Sequence, residues 1–401
     1  MTTEPTAIAP RRRKFRGSLF PWFRLTVGAL CLAGLVGLLF VPQFLPWVLR
    51  FEHATADWRT ALLSDRLPGP HPEIAVVSIT NATLRDYANS PVDRGLLART
   101  VAAIDAAGAK VIGIDVYFLK ATEAAKDQAL VAALVGAKAK VVLGAWDERG
   151  QMEQFQRDFQ RAFLERIGRP AGYLNLRHQR DDVVRYRSSP HPGSLYSESF
   201  SRLLARAAGR DGADSERPIA WLLPPANGAE TFVTVPAHRI VAGEHDTTAA
   251  AAAEAARPLS GRIVLVGGVF PERDQHRTPL SARTSESMSG VYIHANMIAD
   301  LLDPRRTIAE LPPAAARNLV ALVAVVSCVI GWLLWQSSIV QYLGYTFATL
   351  VLVAVDALVY REFRLLLPIT LILAAWFLGV TGGRALRYFV EWTRDRRRLG
   401  A

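Results

Sequence analysis

LSGRIVLVGGVFPERDQHRTPLSARTSESMSGVYIHANMIADLL, residues 259–302, carries a strand, a long polar loop and a helix in succession. The run Ile263-Val264-Leu265-Val266 is short, rich in β-branched residues and closed by Gly267-Gly268. That pattern predicts a strand buried on both faces, as in a parallel sheet. Val291, Ala295, Ile298 and Leu302 recur at steps of three or four, the spacing of one helical face. The loop between them is about twenty residues long, is expected to have no structure of its own, and carries Asp274, His276 and Thr278. Loops at the carboxyl ends of parallel strands are where open α/β sheets hold ligands. A loop of this length is more often functional than idle.

Outward from this stretch the same alternation continues. Strands are expected at Ile74–Ile79, Val111–Phe118, Lys140–Leu143, Ala171–Leu176, Val183–Tyr186 and Phe232–Val235. Helices are expected at Gly95–Ala107, Asp127–Val135, Gln151–Ile167 and Leu195–Ala208, with a short Ala-rich segment at Thr247–Ala256. Strands alternating with helices of this length build a mainly parallel sheet. In Gln151–Ile167, Met152, Phe155, Phe159, Phe163 and Ile167 share one face, read as a packing surface on the helix's own domain, with a partner surface as the alternative.

The 401 residues are half hydrophobic, and the apolar residues are unevenly spread. Four nearly uncharged blocks of about 16 to 25 residues are near or just under the length that crosses a hydrocarbon core as a helix. The expected division is a basic tail over 1–24, a membrane helix over 25–49 and an extracytoplasmic domain over 50–312. Membrane helices over 317–336, 338–360 and 364–383 and a basic tail over 384–401 complete it. The fold class is thus an α/β extracytoplasmic domain with a mainly parallel sheet and four transmembrane helices, one N-terminal and three C-terminal. A signal peptide cleaved near Ala54-Thr55-Ala56 is disfavoured, because the first apolar block is long and Arg50, Glu52 and His53 intervene.

Of the net charge of +11, the first tail carries +5 and the last +4, leaving +2 between them. Positive segments beside membrane helices mark the cytoplasmic side. Four spans put both termini on one side, so the middle domain faces away from the cytoplasm. The same distribution argues against a nucleic-acid partner. Cys31 and Cys328 both fall inside expected spans, so no disulfide is expected in the domain despite its oxidising side.

Several places, taken together and in order, resemble the type-2 CHASE domain family of extracytoplasmic sensory modules. They are Pro72-Glu73-Ile74-Ala75-Val76-Val77 with Leu84; Pro91 and Arg94; Gly108-Ala109-Lys110-Val111-Ile112-Gly113-Ile114-Asp115; and Asp127 with Leu130. Then follow Gly261-Arg262-Ile263-Val264-Leu265-Val266-Gly267, Asp274 with Thr278-Pro279, and Gly290-Val291-Tyr292-Ile293-His294-Ala295-Asn296. The likeness covers about Phe51–Leu311, and one span before the domain with three after it also matches. It implies a bacterial inner-membrane sensor. Two positions depart from the family pattern. Thr80-Asn81 stands where an acidic residue commonly follows the first strand, and Ser90-Pro91-Val92-Asp93 replaces an aromatic-Pro pair. Relatives often carry a catalytic output domain after the last span. Only about twenty residues follow Val380 here, so a stand-alone member signalling through a separate protein is expected. A regulator of the ferric-citrate-sensor type would suit, because such domains pair with this family.

In a parallel sheet Asn81, Asp115, Asp274 and His276 lie at or just past carboxyl strand ends, where they can converge on one ligand pocket. The alternative is that Asp115 caps a helix or orders a turn, and that Asp274 braces its own loop. His294 has the place of a buried structural histidine or, alternatively, of a ligand or pH switch. The spacing of Asp274, His276 and His294 requires no metal, and no cofactor is implied. No G-x-S-x-G elbow and no phosphate-cradling loop is present, so no enzyme is expected. Asp356, within an expected span, is assigned Arg317 as a possible intramembrane partner. Trp332, Trp335, Tyr342 and Tyr345 read as interfacial anchors. The expected partners are an unidentified signalling or envelope protein, a small-molecule ligand, membrane lipid and a second copy of the chain. The alternative function is an envelope scaffold or accessory membrane-complex subunit without signalling.

Overall fold

A computed structural model describes residues 20–40, 46–87, 92–212, 215–334 and 338–399. The basic flank at Arg11–Arg16, the Ser90-Pro91 departure and Trp335 lie outside the described residues. The chain forms two compact units. One comprises Met1–Leu49, Pro313–Val353 and Pro368–Ala401; the other comprises Arg50–Pro312 and Ala354–Leu367.

Helix α1 spans Phe20–Phe40 and α2 spans Pro46–Leu63. The apolar block expected as one helix over 25–49 is described up to Phe40 and again from Pro46, and residues 41–45 lie outside the described residues. Helix α2 begins on Pro46, a residue suited to a first helical position because its missing N–H would have no partner there.

The second unit is built on six parallel strands: β1 (Ile74–Ile79), β2 (Val111–Asp115), β3 (Lys140–Ala145), β4 (Ala171–Tyr173), β5 (Val233–Pro236) and β6 (Ile263–Gly268). Their order is β4-β3-β2-β6-β1-β5, so the strand that opens the quoted stretch lies inside the sheet between β2 and β1. Both faces of β6 are apolar for that reason. Val264 and Val266 enter one core cluster, and Ile263 and Leu265 enter the other.

Helices α3 (Arg94–Ala106), α4 (Ala124–Gly136) and α5 (Gln154–Ile167) cover the first face. Asp93 caps α3 by accepting the Leu96 N–H, and the helix ends at Gly108, whose φ of +80° favours glycine. Phe163 of the α5 stripe packs against Phe118 at 5.0 Å between ring centroids, whereas Phe155 stays exposed. Helix α6 (Phe200–Ala207) covers the opposite face, where Gly113 has no side chain to obstruct Phe200 and Leu204. Short helices α7 (Ala237–Ile240), α8 (Ala249–Ala256) and α9 (Ser281–Thr284) precede α10 (Gly290–Leu302), which lies beside α6 on that face.

Two local expectations change. Val184–Tyr186 is a strand, but it lies outside the six-stranded sheet and pairs antiparallel with Arg177–His178 in a two-stranded one. The loop after β6 has structure of its own: Gln275–His276 pairs antiparallel with Met288–Ser289, and α9 lies between them. Polar side chains within the loop supply hydrogen bonds that its backbone would otherwise take from water.

Helices α11 (Pro313–Leu333), α12 (Ile339–Phe363) and α13 (Ile369–Leu399) follow, each long and apolar enough to cross a membrane. Trp22–Leu38 is a shorter apolar helix. Helix α13 continues without a break through the segment expected as a separate tail. Within the helical unit α11 meets α13 at Gly331, Gly379 and Gly383, where a side chain would run into the neighbouring helix. Small residues are what let membrane helices approach closely.

Candidate functional site

At the carboxyl ends of the central strands, Asp115 closes β2 opposite Gly267 of β6. Burial, and then the nearby Asp274 carboxylate, hold its carboxyl well above the usual range. Asp274 adopts a left-handed φ of +54°, a conformation that Asp tolerates better than most residues. Its Oδ1 lies 2.8 Å from His276 Nε2, and its Oδ2 accepts the Gly290 N–H of α10 at 3.2 Å. The His276 ring also lies 5.0 Å from that of His178. Asp115, Asp274 and His276 are thus neighbours, while Asn81 is exposed and donates to Glu272 of the same loop at 3.3 Å. Asp274 braces its loop onto the start of α10.

His294, one turn into α10, is buried with Nδ1 3.1 Å from Ser201 Oγ and its ring edge-on to Phe200. Burial lowers its pKa to about 4 against the pull of Asp274, so the ring is neutral at ordinary pH.

The cavity beside this cluster is lined by none of Asn81, Asp115, Asp274 and His276. It has a volume of about 560 Å³ and lies between the loop after β6, edge strand β5 and α10. One loop serves both places: in the short strand Gln275–His276 successive side chains point to opposite sides, so Gln275 lines the cavity and His276 does not, while the left-handed turn at Asp274 directs that residue away from it. Leu222, Phe232, Phe270 and Met288 give it apolar walls. Thr234, Tyr292 and Asn296 supply polar groups, with Thr234 Oγ1 3.3 Å from the Tyr292 hydroxyl. Asn296 Oδ1 accepts the Leu222 N–H at 3.0 Å, and its amide donates to Tyr292 O at 2.9 Å. Apolar walls with a few fixed polar groups are the usual make-up of a small-molecule site.

The sequence held a signal for this cavity. Tyr292, Asn296 and Asp300 are four apart, so they form a polar row on an almost wholly buried helix whose only other polar side chain is His294. The row continues beyond the cavity. Asp300 is buried, with Oδ2 3.6 Å from Arg187 Nε; burial raises its pKa and the arginine opposes the rise.

Just past α10, Arg306 donates to Ala220 O at 2.7 Å and to Asp65 at 3.3 Å. Asp65 follows α2, and its other oxygen receives Arg364 at 2.6 Å, one residue past α12. One carboxylate therefore joins the ends of three helices. Two further pairs tie α2 to α12. Arg59 pairs with Asp356, and Ser64 Oγ lies 3.2 Å from the Tyr360 hydroxyl. The partner of Asp356 is Arg59, in place of Arg317. Sequence distance hid this pairing, since 297 residues separate the two. Asp57, two residues before Arg59, is held by both Nε and a terminal nitrogen of Arg185 at 2.7 Å.

The family model of the CHASE2 domain matches residues 30–336. No curated protein and no solved structure matches the chain.

Proposed function

Since the chain belongs to the CHASE2 family of sensory extracellular domains, we propose that it binds a small molecule in the cavity walled by α10 and relays occupancy to a separate signalling protein. On this reading the α/β unit faces away from the cytoplasm of a bacterial inner membrane. Four spans then hold it, with α1 as the first and both termini inside. The two basic tails support that orientation.

The observation that carries the relay is the connection of α10 to α2 and α12. A ligand touching Tyr292 and Asn296 bears on a rigid helix whose far end is tied through Arg306 and Asp65 to Arg364. Helices α2 and α12 each contribute residues to both units. A ligand shifts such a system only through its different affinities for two arrangements. Asp274 and His276 belong to this reading as the brace that fixes the cavity's loop, with Asp115 beside them.

The test is a small-molecule screen by melting temperature on the full chain in detergent. A ligand that stabilises the wild type should lose its effect in Ser287→Trp, which fills the rim, and in Tyr292→Phe, which removes a hydroxyl. Hits that stabilise both variants as well as the wild type would place binding elsewhere. A reporter fused at Gly212 should be active outside the cytoplasm and one following Arg398 inside; the reverse pattern overturns the orientation.

A further inference from the structure

We infer that the cavity beside α10 selects an amphipathic amine, its apolar body on the walls and its protonated amino group toward Tyr292, Gln275 and Glu230. This rests on the proposed small-molecule role of the cavity and adds the chemical class of the ligand.

The fixed polar groups of the cavity have only acceptors left to offer. Thr234 Oγ1 gives its one proton to Phe232 O at 3.2 Å. The Tyr292 hydroxyl, 3.3 Å from Thr234 Oγ1, is therefore the donor between them and keeps only lone pairs for a ligand. Burial and the nearby Glu230 carboxylate both raise the pKa of that hydroxyl, so it stays a neutral phenol. Gln275 Nε2 donates to Phe270 O and to Ser289 Oγ, both at 2.7 Å. A carbonyl can only accept, which fixes the orientation of the amide and leaves Gln275 Oε1 without a donor among the described residues. Asn296 adds no donor, because its amide hydrogens go to Tyr292 O at 2.9 Å and toward the Met288 sulfur at 4.0 Å. Oxygens that can only accept repel a carboxylate or a phosphate and bind an N–H; an ammonium brings three.

Charge points the same way. Of the lining residues, Glu230, Arg283 and Glu286 are charged, which gives the cavity one net negative charge. All three are exposed, and none has an ion-pair partner among the described residues. Arg283 and Glu286 are three apart in the loop after β6 and offset one another, whereas Glu230 is uncompensated and acts on the Tyr292 hydroxyl. The rings of Phe232, Phe270 and Tyr292 add π faces, which attract cations.

Thr278 is an independent sign of an occupant. It lines the cavity and is only 3% exposed. Its N–H is taken by Ser281 Oγ at 3.1 Å, but its hydroxyl has no partner among the described residues. A buried hydroxyl is ordinarily paired, and a ligand carrying several N–H groups pairs this one.

Matched probes test the class. The full chain in detergent is titrated calorimetrically at neutral pH with phenethylamine, phenethyl alcohol and hydrocinnamate, and again with hexylamine, hexanol and hexanoate. Heat that persists in Ser287→Trp, which fills the rim, is uptake by micelles and is subtracted. In at least one set the amine should bind about tenfold or more tightly than the alcohol, the worth of one hydrogen bond to a charged group, and the acid should bind more weakly than the alcohol. Glu230→Gln should bring amine and alcohol to within about threefold of each other. Glu254→Gln, which removes the same charge from an exposed position on α8 outside the cavity, should keep the preference. An alcohol or acid that binds as tightly as its amine and is blocked by Ser287→Trp overturns the amine while leaving the cavity a small-molecule site. An amine preference that survives Glu230→Gln, or is lost equally in Glu254→Gln, also overturns it. No heat beyond that of Ser287→Trp with any probe counts against the amine and the cavity together.

Discussion

The two units are held together by opposite means. In the α/β unit, large side chains are withdrawn from water: Ile263, Val264, Leu265 and Val266 are almost wholly buried, and the sheet is covered on both faces. In the helical unit many large residues point outward, with Leu343 63% exposed and Phe347 68% exposed, while glycine and serine occupy the closest contacts between α11 and α13. Water drives apolar side chains inward. Hydrocarbon does not, so close backbone approach and interhelical hydrogen bonds take over.

The widest separation should come from one substitution made in both units. Leu265→Ala removes a side chain from the middle of the sheet and should destabilise the α/β unit by about 3 to 4 kcal/mol. Leu343→Ala on the outer face of α12 should change stability by only about 0.5 kcal/mol. Denaturant titration of the full chain in detergent reads both. Equal losses would mean that the outward leucine is not facing lipid.

Enlarging a residue should reverse the ranking. Gly383→Leu drives a side chain into the backbone carbonyl of Cys328 on α11, which cannot rotate away as a side chain could. A destabilisation of about 3 kcal/mol is expected, seen as early loss of the monodisperse peak on heating. An unchanged profile would show that α11 and α13 are not packed this closely.

Acid should weaken only one unit, because all eight histidines lie between residues 53 and 294 and none in the helical unit. His294 takes up its proton near 6.5 when unfolded and only near 4 when folded. Between those values the unfolded chain binds the extra proton, so stability falls as pH falls through this window. The slope is about 1.4 kcal/mol per pH unit, and the full drop is about 3 kcal/mol. His71, also lowered to about 4 by burial, adds a second share. His294→Gln should remove one proton's worth of slope from the melting curve of the α/β unit. An unaltered slope would mean that His294 is already protonated in the fold.

What the sequence made legible follows from the same contrast. Ile263–Val266 announced a central strand because burial on both faces leaves no polar position, and the helical face of Val291–Leu302 was equally plain. The apolar blocks near the C-terminus showed themselves by length. Partners distant in sequence stayed hidden: Asp356 sits 39 residues from Arg317 and 297 from Arg59, yet folding selects Arg59. The cavity stayed hidden because its walls come from Leu222, Phe232 and Met288, ordinary apolar residues that no spacing sets apart. Asp274 drew notice for its charge, but its charge is used on the Gly290 N–H. The polar row Tyr292, Asn296 and Asp300 was the readable clue, concealed by the apolar residues around it.

A smaller effect sharpens the link between α10 and the two helices α2 and α12. Asp65→Asn keeps the shape but loses the charge shared by Arg306 and Arg364. Because Asp65 and Arg364 are partly exposed, about 1 kcal/mol of stability is expected to go. On the proposed relay, ligand binding should persist while its effect on the output protein falls. Intact coupling at unchanged affinity would remove Asp65 from the route.

Ser327→Ala should give the smallest change, and it tests what holds α11 to α13. The Ser327 hydroxyl has one proton and two carbonyls within reach, Ala324 O at 3.0 Å on its own helix and Ala375 O at 3.2 Å on α13. If the bond across the helices matters, its removal should destabilise by about 0.6 kcal/mol, the average for such bonds in a membrane protein. If the proton stays on Ala324, alanine should be neutral, since it is small enough for the close approach of Gly379. Ser327→Leu separates bonding from packing: it should be far worse than alanine, because the contact admits no larger side chain. Leucine tolerated as well as alanine would mean that this contact does not hold the helices, and that packing between small residues is not what replaces the hydrophobic effect here.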